Sequence, residues 1–220
     1  MRRVALVMLL GAGCTTFSSY QTARLLAPGR HALTAAGGYG FEHNDNGGFT
    51  AGVLAFDAMD RVGVTGNFEA GAKLSVLHSY GDLNGVGSVK GDLTLGFVDL
   101  KYALRSDQLA LQLPVGVGYR GGGWHDLQIQ PTLVHTATLT PSLELDSAYK
   151  LIVVSDDTQN LGHLRTINLA VDVGVRLHSD RWPVELHPEV GIMVEDATTA
   201  IDINGANVVV GAGLGVTLTL

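Results

Sequence analysis

The chain ends on VVVGAGLGVTLTL, and few patterns restrict a fold as tightly. Val208, Val210, Ala212, Leu214, Val216, Leu218 and Leu220 fall on one side, and Val209, Gly211, Gly213, Gly215, Thr217 and Thr219 on the other. A period of two belongs to a β-strand, whose successive side chains point to opposite faces. One face is greasy throughout and the other mostly small. The whole 220-residue chain is 16% charged, against roughly 25% in an average soluble protein, and its 29 glycines are near twice the usual share. Mean hydropathy is +0.23, reached without a long apolar run. Such a composition fits a β protein in lipid better than one in water. The net charge of −7 argues against a nucleic-acid partner, which needs a basic face.

Period-two runs recur along the chain and predict ten strands, near 30–41, 49–64, 68–77, 91–104, 109–119, 127–139, 143–154, 166–177, 184–195 and 207–220. Four connections are tight: 65–67, 105–108, 140–142 and 178–183. The other five, 42–48, 78–90, 120–126, 155–165 and 196–206, are mostly longer and polar or Gly-rich. Short and long alternate, so all tight turns fall at one end and all longer loops at the other. An even strand count with this alternation predicts an all-β fold, a single antiparallel up-and-down transmembrane β-barrel. Apolar pairs flank three of the turns: Val64 with Phe68, Leu104 with Leu109, Leu139 with Leu143. At the fourth, Leu177 with Val184 would set Arg176 opposite Glu185. Pro114, Pro131 and Pro188 fall inside strands and demand irregularities. Slips of the apolar phase near Val53–Leu54 and Phe97–Val98 read as bulges.

The amino terminus is of another kind. Arg2 and Arg3 precede an apolar segment from Val4 to Leu10, too short to span a bilayer, and small residues follow up to Cys14. This reads as a signal peptide over 1–13. Leu10, Gly11, Ala12, Gly13 and Cys14 resemble a bacterial lipobox, with Leu one position early; the resemblance implies cleavage before Cys14 and its acylation. Thr15 in place of Asp implies delivery to the outer membrane. Cys14 is the only cysteine, so no internal disulfide exists. Residues 14–29 then read as a lipidated tether and 30–220 as the barrel. The chain as a whole resembles small bacterial outer-membrane β-barrel lipoproteins. That resemblance implies residence in the outer membrane with a lipid anchor on the periplasmic side. The implied partners are outer-membrane lipids and the lipoprotein-sorting and barrel-assembly machinery.

If the greasy stripe meets lipid, the opposite face carries Arg61, Glu69, Lys101, Glu144, Lys150, Asp172, Arg176, Glu185, His187 and Glu189 into the lumen, with Asp57, Lys73, Asp99 and Asp146. Both signs of charge in a narrow lumen require pairing. The turn-end members, Arg61, Glu69, Lys101, Glu144, Arg176 and Glu185, are expected to form the tightest network. The same register sets Asp172 opposite Glu189, where Lys150 or His187 would be needed as cation. The expected function is non-enzymatic: structural, adhesive or a narrow cation-preferring channel, with no cofactor, catalytic group or metal site. Two alternatives stand beside it. His43, His78, His125 and His163, each in a different loop and near acids, could make a rim enzyme or metal site of the kind omptin proteases place on their outer rim, although no omptin motif matches. A soluble lipocalin-like lipoprotein would turn the greasy face inward instead.

Overall fold

The computed structural model describes residues 19–44, 49–83, 87–120, 123–158, 162–179, 182–194 and 208–220. These contain eleven β-strands: β1 (His31–Asn44), β2 (Phe49–Thr65), β3 (Phe68–Leu83), β4 (Gly87–Arg105), β5 (Leu109–Arg120), β6 (Gly123–Ile129), β7 (Thr132–Thr140), β8 (Leu143–Thr158), β9 (Gly162–Ser179), β10 (Trp182–Val194) and β11 (Val208–Thr219). Apart from β6 and β7, neighbours in sequence pair antiparallel, and β1 pairs with β11 from Ala32↔Thr219 to His43↔Val208, which closes the sheet on itself. Strands β6 and β7 occupy one position in the wall, since both lie between β5 and β8. The barrel therefore has ten staves, one of them broken. A stave of about 12 residues, tilted by about 40°, rises about 30 Å, enough to cross a hydrocarbon core.

The break is where two of the prolines meet. Pro131 separates β6 from β7, and Pro114 of β5 stands at the same level, opposite Gln130 by register, so the two residues without an N–H lie side by side at the break. Gln130 donates to the Pro114 carbonyl (2.9 Å) and Leu151 to that of Pro131 (3.0 Å), which satisfies the exposed acceptors. Pro188 lies beside a second irregularity, where the β9–β10 register shifts between Trp182 and Leu186.

The wall is two-faced. Leu214 is 48% exposed, Val173 42% and Val190 58%, whereas Glu189 is 4% exposed. A soluble barrel would reverse these values. Of the outward rings, Phe41, Tyr80 and Tyr119 lie by the loops and Tyr102 and Trp182 by the turns, as rings with one wet edge favour, while Phe56 and Tyr149 face out at mid-wall.

Several expected details shift. No bulge lies at Val53–Leu54 or Phe97–Val98; the β2–β3 and β3–β4 registers run through both. Val53 and Phe97 instead point inward with Leu77, Leu93 and Leu95 as an apolar cluster inside the lumen. The bulges sit at the turns. Thr65 pairs with Phe68, Arg105 with Leu109 and Thr140 with Leu143, which leaves Val64, Leu104 and Leu139 as the extra, outward residues. On β9–β10 the shift pairs Leu177 with Leu186 rather than Val184, and Asp172 with Gly191 rather than Glu189. Strands β3 and β4 also run on to Leu83 and from Gly87, so His78 is a strand residue and not a loop one.

Because Val190 faces hydrocarbon near mid-wall, Val190→Arg is expected to cost about 2–4 kcal/mol in folding stability in lipid, whereas Leu104→Arg at the turn end should cost about 0–1. Urea unfolding in liposomes measures both; equal costs would contradict a membrane-facing exterior.

Candidate functional site

The wall leaves a lumen, and the chain itself fills it. Residues 14–29 read in sequence as a lipidated tether; in the described part of that segment, Ser19 to Ala23 lie inside the barrel before the chain emerges towards Gly29. Ser19, Tyr20, Gln21, Thr22 and Ala23 are all buried. The strap leaves at the turn end, where Gly29 at φ +78° reverses the chain into β1 and donates to the Gly63 carbonyl (2.8 Å). Gly63 has no alternative: a Cβ there would lie 2.3 Å from the Ala27 carbonyl oxygen.

The strap is held mainly through its backbone, by side chains from around the wall. Glu189 of β10 accepts from the amides of Ser19 (2.8 Å) and Tyr20 (3.0 Å) and from the Ser19 hydroxyl (3.3 Å). Thr136 of β7 accepts from the Ala23 amide (2.7 Å), and Glu69 of β3 from the Leu26 amide (3.0 Å). Lys101 of β4 donates to the carbonyls of Thr22 (3.3 Å) and Arg24 (3.1 Å). Two strap side chains join in. The Gln21 amide donates to Asp99 (2.9 Å), and the Arg24 guanidinium pairs with Glu144.

Tyr20 explains the glycine face of the last strand. Its backbone is left-handed, φ 45°, at a cost of about 1–2 kcal/mol for a residue with a Cβ. That turn aims two amides at Glu189 and lays the ring against β1 and β11. A Cβ on Gly213 would fall 1.8 Å from the Tyr20 hydroxyl, one on Gly215 2.9 Å from the ring, and one on Gly38 3.1 Å from the hydroxyl. The three glycines form a slot, and the hydroxyl at its end donates to the Gly37 carbonyl (3.3 Å).

The charged residues singled out from sequence gather around this strap. Glu69 meets Lys101 (3.1 Å) and Arg61 (3.2 Å). Arg176 reaches Glu144 (2.8 Å) and makes a two-pronged pair with Glu185 despite the shifted register. Lys150 pairs with Asp172 at 2.6 Å, and His187 lies 3.6 Å from Asp146. Lys73 reaches Asp57 at 3.4 Å. The Arg and Lys pairs among these persist as buried ions because each charge opposes another; removal of one partner typically costs about 3–5 kcal/mol. Towards the loop end the lumen turns apolar, with the Phe97 cluster on one side and Ile152, Val154, Ala170, Met193 and Val209 on the other.

Little open space remains. A cavity of about 110 Å³ beside the strap is bordered by Arg61, Arg176 and His187, and another of about 20 Å³ by Asp99 and Lys150. A groove of about 1060 Å³ lies on the outer face of β1–β5 over Ala35, Ala58, Ala72 and Gly96, where acyl chains would lie. Of the four histidines at the loop end, the side chains of His43, His125 and His163 lie outside the described residues. His78 contacts Asp92 across β3–β4 at 2.5 Å on the outer wall, with the Tyr80 ring 6.5 Å away. Among the described residues no three metal-ligating side chains converge.

No protein-family model and no characterised protein matches the sequence. Solved structures do match in shape. An outer membrane channel from Pseudomonas putida F1 is similar over 90% of this chain and 98% of its own, at 11% identity and a TM-score of 0.54. The translocator domain of the autotransporter NalP from Neisseria meningitidis covers 97% of this chain and 93% of its own, at 13% identity and 0.48. The outer membrane protease OmpT from Escherichia coli covers 92% and 100%, at 13% and 0.46. The first of these shows the fold, an outer-membrane-type β-barrel.

The slot makes a direct prediction. Gly213→Val should expel the Tyr20 ring and loosen the strap, and trypsin cleavage after Arg24 in the folded barrel should accelerate by about tenfold or more. Gly96→Val, at a site where a Cβ meets nothing within 4 Å, is the matched control and should leave cleavage unchanged.

Proposed function

We propose that this chain is a bacterial outer-membrane barrel that works as a narrow channel, closed at rest by its own amino-terminal strap, and not as an enzyme. One observation carries the reading: the lumen is blocked by a segment outside the wall's ladder, attached through side chains. The wall's own inward residues at that level are charged and polar. A barrel meant only as a rod could fill its centre with apolar side chains from the wall. With the strap gone, a polar conduit remains in which carboxylates outnumber Lys and Arg, which favours cations.

The outward apolar belt supports membrane residence, and the lipobox-like residues before Cys14 support export with acylation of that cysteine. On this reading the outer-membrane lipids and the sorting and barrel-assembly machinery are its partners. Of the four histidines on which a rim enzyme would rest, His78 pairs with Asp92 on the outward side of the wall, away from the lumen.

Planar-bilayer recording tests the channel. The wild-type barrel should be closed for most of the record, and a chain with residues 19–26 replaced by Gly and Ser should show steady conductance with cation preference. A replaced chain that folds and passes no current would leave a structural barrel only. For the anchor, labelled palmitate should enter the wild type and not Cys14→Ser.

A further inference from the structure

We infer that the lumen is a peptide-binding site, with the strap as its built-in ligand. A segment of another chain that turns at an aromatic residue, followed three positions later by a small one, would take the strap's place. The inference rests on the reading that the strap can leave the lumen. The contacts themselves specify the ligand class.

Recognition is first of backbone. Glu189, Thr136 and Glu69 accept from four strap amides, and Lys101 donates to two strap carbonyls. Donors and acceptors at this spacing fit a peptide that follows the strap's path, left-handed at the aromatic residue so that two successive amides meet Glu189, since every residue but proline offers the same groups. None of these bonds belongs to the wall's ladder, because both edges of every stave already pair with neighbouring staves. Exchange of one peptide for another therefore leaves the barrel's own hydrogen bonds intact.

Side chains then select. The slot over Gly38, Gly213 and Gly215 takes a flat ring and offers the Gly37 carbonyl to its hydroxyl. Three residues on, Ala23 is fully buried against Ala110 and Val134, and its methyl group fills the contact. Between them Asp99 receives the Gln21 amide, and beyond them Glu144 receives a cation, Arg24 in the strap. The pattern read by the lumen is thus aromatic, amide, a buried hydroxyl residue, small, basic.

The strap has the advantage of attachment. A tethered segment competes at an effective concentration of about millimolar, so a free peptide should enter only when the strap is weakened. The experiment uses the full chain with residues 19–26 replaced by Gly and Ser, folded in detergent and checked by heat-modifiable gel migration. Its probe is a fluorescein-labelled synthetic peptide of residues 18–27, followed by anisotropy. Saturable binding is expected, weakened by about tenfold or more when the peptide's tyrosine is alanine or when the barrel carries Glu189→Gln. The wild-type barrel should bind the peptide at least about tenfold more weakly than the replaced chain. Absence of saturable binding to the folded replaced chain, or equal binding of a scrambled peptide, would overturn the inference. If the replaced chain does not fold, Tyr20→Ala in the otherwise intact chain supplies the weakened strap, and no gain over wild type then has the same meaning. Binding in detergent needs no conductance, so failure here leaves the channel standing, and a silent bilayer leaves peptide binding standing.

Discussion

Hydrocarbon offers no hydrogen bonds, and the rest of the structure follows from that. A backbone that crosses it must satisfy each amide and carbonyl internally, which a sheet achieves only by closing on itself. Here closure is the pairing of β1 with β11 along nearly their whole length. Once the wall is closed, alternation leaves no choice about the inner face. Whatever stands between the outward Val, Leu and Ile must point at the axis, and for Arg61, Glu69, Lys101, Glu144 and Asp172 that means burial as ions.

Burial of those ions sets the second requirement. Wall residues pair with one another in part, as Lys150 does with Asp172 and Arg176 with Glu185. Glu189 does not rely on a wall cation; it caps two amides of the strap. Lys101 and Glu144 are shared between wall and strap. The strap is thus part of the lumen's electrostatic balance, and its departure would expose charges that only water or another ligand could compensate. A plug bound by such groups is held firmly yet remains replaceable by anything that offers the same amides, carbonyls and cation.

The barrel was legible because its signal is repeated: ten runs of period two, with connections alternating between short and long, fix closure, parity and the outward face. Local register was not legible, since one bulged residue at each of three turns moves the pairing by one, and Leu104 looks the same in sequence whether paired or extra. The inward Val53 and Phe97 looked like phase slips because a lumen was expected to be polar throughout. Clusters of apolar side chains inside the upper barrel break that rule without breaking the strand. The strap was hidden for a different reason. Residues 19–26 have no period, and a segment that binds through its backbone writes little of that binding into its own side chains.

Its signature lies instead in the wall. In sequence Gly213 and Gly215 belong to a face that is mostly small, and what that face meets is one tyrosine ring whose hydroxyl would collide with a Cβ on Gly213. Glycine weakens a strand, by lost packing and by the entropy of a freer unfolded chain. A row of glycines on the closing strand, opposite a full set of apolar residues, therefore marks a place where something must approach the backbone closely. The same logic holds at Gly116, over which the Phe97 ring lies, and at Gly191, beside the Asp172 carboxylate. In a closed barrel, inward glycines map the large inward groups that face them. Where no wall residue accounts for the space, as at Gly213, the occupant must come from outside the sheet.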